Sequence, residues 1–114
     1  MEYNLEKRTR NFSKNIIGCS KNIRVTILNS NIISQLFKSS TSIGANYHEA
    51  NGAVSKNDFI NKIHICRKET QETVCWLELL AETDQNYAKI ILELQKEASE
   101  LARIFNKISY SSRH

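Results

Sequence analysis

No proline occurs anywhere in the 114 residues, and glycine occurs only at Gly18, Gly44 and Gly52. These two residues are the main breakers of helices. Proline removes an N–H and clashes with the preceding turn, and glycine brings excess backbone freedom. A chain nearly free of both can run in long helices, so the spacing of its apolar residues decides what forms. Leu5, Thr9, Phe12, Ile16, Cys19 and Ile23 recur at threes and fours and predict a helix over about 4–23. Ile32, Ile33, Leu36, Phe37, Ser40, Ile43, Gly44 and Tyr47 form the inner side of a second, about 30–50. Its run of small residues, Ser39 to Ser42 and then Gly44-Ala45, lets a neighbouring backbone come close. Gly44 costs ~1 kcal/mol against alanine in a helix, so tight packing is expected there.

The third and longest helix is expected over about 56–82. Its core face is Phe59, Ile60, Ile63, Cys66, Thr70, Val74, Leu77 and Leu80-Ala81. The fourth, about 87–108, carries a near-heptad seam of Ile90, Ile91, Leu94, Ala98, Leu101, Ile104, Phe105 and Ile108. Between them lie an extended connector at 24–29, with Asn29 to Asn31 offering oxygens to cap helix two, and Asn51-Gly52 with a left-handed glycine cap. Ser55 to Asp58 makes a capping box, Asp84 to Asn86 caps helix four, and Ser109 to His114 is expected to fray. Four amphipathic helices on short connections predict an all-α fold, an antiparallel up-down-up-down four-helix bundle spanning 1–114 as one domain.

Several functions are disfavoured by what the residues lack. A dimetal site in such a bundle needs Glu-x-x-His on two helices, and that pattern occurs nowhere. No Cys-x-x-Cys, phosphate-cradling glycine loop or Gly-x-Ser-x-Gly elbow is present either. No catalytic residue, cofactor or metal site is therefore expected, and the chain is read as a non-enzyme. Cys19, Cys66 and Cys75 form an odd, widely spaced set that fits small hydrophobes in a reducing cytoplasm better than a disulfide framework. No apolar run reaches the ~18 residues of a membrane span. Met1 to Lys7 has neither the basic nor the apolar region of a secretory signal.

The net charge of +4 is unevenly spread. Residues 1–24 hold six Lys/Arg against two Glu, whereas residues 69–84 hold five acids and no Lys or Arg. On helix one, Lys7, Arg10, Lys14, Lys21 and Arg24 form a ridge roughly opposite the apolar stripe. Such a ridge is either the solvated face of a surface helix or a row of cations spaced to meet phosphates. Asn46 and Glu49 share a face of helix two and are candidate structural or oligomer-interface residues, needing partners if buried. His48 is placed on that helix's outer side. Trp76 lies about a third of a turn off the core stripe, suited either to a subunit contact or to folding onto the core rim.

Two central blocks carry a family resemblance. Gln35-Leu36-Phe37-Lys38-Ser39-Ser40-Thr41-Ser42-Ile43-Gly44-Ala45-Asn46-Tyr47-His48-Glu49-Ala50 is the first; Ser55 to Lys62, Lys68-Glu69, Glu72-Thr73 and Trp76-Leu77-Glu78-Leu79-Leu80 make up the second. Together they resemble the bacterial four helix bundle protein family, which includes proteins encoded by intervening sequences within large-subunit ribosomal RNA genes. The resemblance implies an antiparallel bundle assembling as a barrel-like homopentamer. A relative in the family, the accessory variability determinant of diversity-generating retroelements, implies binding of RNA or DNA, and of a protein such as a reverse transcriptase, through a basic surface. Asn46 and Glu49 match the family's Asn and Glu. At the turn between helices two and three, where relatives often carry arginine, Ala53-Val54 stands here. Helix one's ridge is then the better nucleic-acid candidate. The alternative is a protein-interaction scaffold in which the acidic segment and the basic helix are complementary surfaces.

Overall fold

The computed structural model describes residues 4–113. Its elements are α1 (Leu5–Asn22), α2 (Ser30–Asn51), α3 (Lys56–Thr83), one 3-10 turn (Gln85–Tyr87) and α4 (Ala88–Arg113). Cross-helix contacts fix the directions. Glu6 meets Asn51 while Ser13 meets Ser40, so α1 and α2 run oppositely. Glu49 meets Lys62 while Ser39 meets Thr73, which reverses α3 against α2. Arg8 meets Glu97 and Asn22 meets Tyr87, which sets α4 against α1. The result is an antiparallel bundle in which consecutive helices pack together and α4 closes on α1. The 28 residues of α3 rise ~42 Å at 1.5 Å each, close to the longest dimension of 44 Å.

Phe12 and Ile16, Leu36 and Ile43, Ile63, Leu77 and Leu80, and Ile91, Leu101 and Phe105 are all but fully buried. Each such side chain stabilises the fold by roughly 1.5–3 kcal/mol relative to exposure. Tyr47 meets Phe105 edge-to-face at 5.8 Å, joining α2 to α4 through the core. Where α1 crosses α2, a Cβ added at Gly44 would stand 3.4 Å from Thr9 Oγ1, and Ser13 Oγ donates to the Ser40 carbonyl at 3.0 Å. The expected close approach at Gly44 is thus a contact with Thr9. Buried hydroxyls join α2 to α3: Thr73 Oγ1 lies 2.9 Å from Ser39 Oγ and 2.8 Å from the Glu69 carbonyl.

Several expectations need correction. Phe37 and Ile90, placed in the buried stripes, are about half exposed, at 49% and 43%. Asn29 does not cap α2. Its buried side chain accepts from Thr26 N–H at 2.8 Å and donates to the Arg24 carbonyl at 3.0 Å, pinning the connector into a turn. Gly52 ends α2 with φ −98°, in no left-handed conformation. α4 does not fray from Ser109: it continues to Arg113 with Ser109 buried, and His114 lies outside the described residues. No glycine or proline stands there to stop the helix. The Ser55 cap forms as expected, accepting from Asp58 N–H at 3.0 Å, whereas Asp84 caps not α4 but the 3-10 turn ahead of it, through Asn86 N–H.

Candidate nucleic-acid interface

α1 begins where Asn4 Oδ1 accepts from Lys7 N–H at 3.1 Å. With Leu5, Thr9, Phe12 and Ile16 buried inward, the opposite side of the helix is forced into solvent. Lys7, Arg10, Lys14, Lys21 and Arg24 are all exposed. Among the described residues, only Arg10 of these five meets a carboxylate, Glu6, at the long distance of 4.0 Å. Lys7, Lys14 and Lys21 recur every seven residues and fall almost in line. The row has two flanks: Lys7 and Lys14 border the α1/α4 grooves, and Arg10 borders the α1/α2 groove.

Arg8, the cation left out of the ridge, is a bundle tie. Its Nε donates to Glu97 Oε2 at 2.8 Å, and its Nη2 donates to Glu97 Oε1 at 2.9 Å and Glu100 Oε1 at 2.8 Å. These carboxylates, Glu97 first, raise the guanidinium's pKa further. Arg8 thus reaches Glu97 and Glu100, one turn apart on α4, from the neighbouring helix. It takes up two α4 carboxylates and leaves Glu93 across the groove from Lys14.

A groove of about 420 Å³ separates α1 from α2, with Glu6, Arg10 and His48 at its mouth. Glu6 accepts from Asn51 Nδ2 at 2.8 Å and lies 3.6 Å from His48 Nδ1. The Asn51 hydrogen bond, then His48, holds its carboxyl below the ordinary value. Ser13 in the same groove turns its hydroxyl to the Thr9 and Ser40 carbonyls, so no nucleophile–base pair forms here. Among the described residues, no three His, Cys, Asp or Glu side chains come together as metal ligands.

The other candidate residues are placed as follows. Asn46 is half-buried, and its partners lie on its own helix: Nδ2 donates to the Ser42 carbonyl and Oγ, both at 2.9 Å. Glu49 is exposed and bridges to Lys62 Nζ at 2.6 Å, which lowers its carboxyl pKa. Trp76 is half-buried and packed against the core, one of the two placements expected for it. His48 faces outward, as expected. The acidic face of α3 is also turned to water at Glu72, Glu78 and Glu82. Missed in the sequence were Asn11, Asn15 and Asn22, which stand exposed beside the lysines. Their spacing of four and seven residues along the same helix was the available signal.

The family model for the 23S rRNA-intervening sequence protein matches residues 1–107. The chain belongs to this family. No curated protein matches it. Among solved structures it is similar to a protein of unknown function from the S23 ribosomal protein family of Bacteroides thetaiotaomicron. That protein is 31% identical over 91% of this chain and 96% of its own, with a TM-score of 0.78. The intervening-sequence family and the S23 neighbour thus agree with the helical architecture and carry no stated activity. No described helix is long and apolar enough to cross a membrane.

Proposed function

We propose that this protein binds nucleic acid without catalysing a reaction, through the outward face of α1, and works as a homo-oligomer. The observation that carries the reading is the state of the ridge. Four cations, Lys7, Lys14, Lys21 and Arg24, project into solvent with no carboxylate partner among the described residues, while nearby Glu97 and Glu100 are held by Arg8. Three of these stand on the outward face of α1 and Arg24 follows just past its end; cations left unneutralised side by side are what a polyanion needs. The pentamer remains an expectation from the family resemblance.

Charge reversal at Lys14 and Lys21 is the test, with reversal at Lys56 and Lys68, exposed on α3, as the control. Binding to labelled RNA should weaken and lose salt dependence in the first variant and persist in the second. Equal loss in both, or unchanged binding in the folded α1 variant, would remove α1 from the interface. A second reading rests on the exposed acids of α3: in a scaffold, those acids and the α1 ridge meet between copies or on a partner protein. Salt-sensitive self-association abolished by Lys14→Glu, with no RNA binding, would favour it.

A further inference from the structure

Gly18 sits inside α1, one turn before its C-terminal end at Asn22, where glycine costs up to about 1 kcal/mol of helix propensity against alanine. A Cβ built on Gly44 would touch Thr9 on α1, but a Cβ built on Gly18 meets nothing within 4 Å. Nothing inside the chain therefore requires a bare backbone at this position. A requirement from outside would be a ligand that comes against the helix surface, because only glycine presents backbone with no side chain over it.

The surroundings of Gly18 say what kind of ligand fits. Lys14 and Lys21, four before and three after, flank it along the helix with about 10 Å of rise between them. Asn15 and Asn22, three before and four after, stand beside it and border a groove of about 550 Å³ between α1 and α4. The groove's inner side is apolar, formed by Phe12, Cys19, Ile90 and Leu94. The half-exposure of Ile90 leaves that apolar surface open to solvent. Glu93 stands across the groove on α4, where a carboxylate repels phosphate and accepts hydrogen bonds from base amino groups.

Resting on the nucleic-acid reading above, we infer that this groove takes an unstacked base from a single strand whose backbone crosses α1 at Gly18. Lys14 and Lys21 meet the flanking phosphates. The base passes over the Gly18 Cα onto the apolar surface, with the Asn15 amide, the Asn22 amide oxygen (its Nδ2 donates to the Gly18 carbonyl at 3.1 Å) and the Glu93 carboxylate at its edge. A duplex keeps its bases paired and stacked and cannot place one there, so the site selects single strands.

Gly18→Leu is the decisive variant, because the new side chain has open space, raises helix propensity and fills the groove. The probes are a fluorescein-labelled mixed-sequence RNA, the DNA of the same sequence, and the corresponding duplex. Single strands should bind the natural protein about tenfold more tightly than the duplex, and Gly18→Leu should remove that advantage, the scale of one lost base contact. The RNA and DNA arms tell which sugar the groove takes. Helical signal and solution mass should not change. Equal affinity for duplex and single strand would overturn the inference, as would undiminished single-strand binding by Gly18→Leu. A changed mass would overturn it too, since the glycine would then serve a contact between chains. Should these fail while Lys14→Glu/Lys21→Glu still weakens binding, the charged-face reading stands without the groove. Absence of binding to any probe at low salt removes both.

Discussion

Replacing Arg8 with methionine removes the only ion pairs recorded between α1 and α4 among the described residues, while keeping an apolar stem of similar length. The Arg8 side chain is 25% exposed and Glu97 31%, and the pair is bidentate, so water screens it only in part. A coupling of about 1 kcal/mol is expected for that pair, between the surface range and that of buried charged hydrogen bonds. Glu100 is 57% exposed and should add no more than ~0.5 kcal/mol. The variant should thus lose about 1–2 kcal/mol, a drop in Tm of about 5 °C for a chain of this size. The assay is a double-mutant cycle of Arg8→Met and Glu97→Gln by urea unfolding, in low salt and again in 1 M salt. The coupling should shrink at high salt, where the screening length falls to about 3 Å. A coupling below ~0.3 kcal/mol, within ordinary additivity error, would refute the clamp and leave α1 held by its apolar stripe alone.

Two further outcomes follow from burial and charge. Cys75 is exposed, Cys19 half-buried, and Cys66 buried with its Sγ donating to the Ile43 carbonyl; burial pushes the Cys66 thiol up to about 12 and raises Cys19 to a smaller degree. A thiol reagent at neutral pH should modify Cys75 first, Cys19 more slowly, and Cys66 only on unfolding, as read by mass spectrometry; early labelling of Cys66 would contradict the packing of α2 on α3. Glu6 and Glu49 have folded pKa values held below 4.5, by Asn51 and Lys62 respectively, so their stabilisation is present above the unfolded value and lost as pH falls through the folded one. Glu69, raised by burial and by Glu72, acts in the opposite sense. Glu6→Gln and Glu49→Gln should each flatten the loss of stability below about pH 4.5, whereas Glu69→Gln should steepen it; unchanged acid profiles would show these carboxyls untethered in solution.

The bundle was legible because missing breakers and three-to-four spacing specify helices before any neighbour is known. The inner faces of α1 and α3 follow their stripes: Leu5, Phe12 and Ile16 on one, Ile63, Cys66, Leu77 and Leu80 on the other, are buried. Periodicity gives the direction of a face but not its width. Phe37 and Ile90 lie at the edges of their stripes, and whether they are covered depends on how closely α1 approaches α2 and α4. Polar partners were least legible. Nothing local tells that Arg8 will reach Glu97 across 89 residues, or that Asn29 will fasten its own connector instead of capping α2. Thr73 was left off the core face, yet it packs fully buried with its hydroxyl against Ser39. The candidate site divides the same way. The exposure of Lys7, Arg10, Lys14 and Lys21 was readable from helix one alone, Arg24 falls past the end of α1, and the groove beside Gly18 exists only once α4 stands next to it.

The central claim is that the outward face of α1 is a polyanion surface. Its most direct test is the affinity of the purified, nuclease-treated protein for single-stranded RNA across a salt series, with solution mass followed on the same sample. Five engaged cations predict micromolar binding at low salt, on the order of nonspecific nucleic-acid affinity, and a log–log salt slope of about −3.5 per chain. A well-behaved oligomer that binds no RNA even at low salt, or binds with no salt dependence, would contradict it.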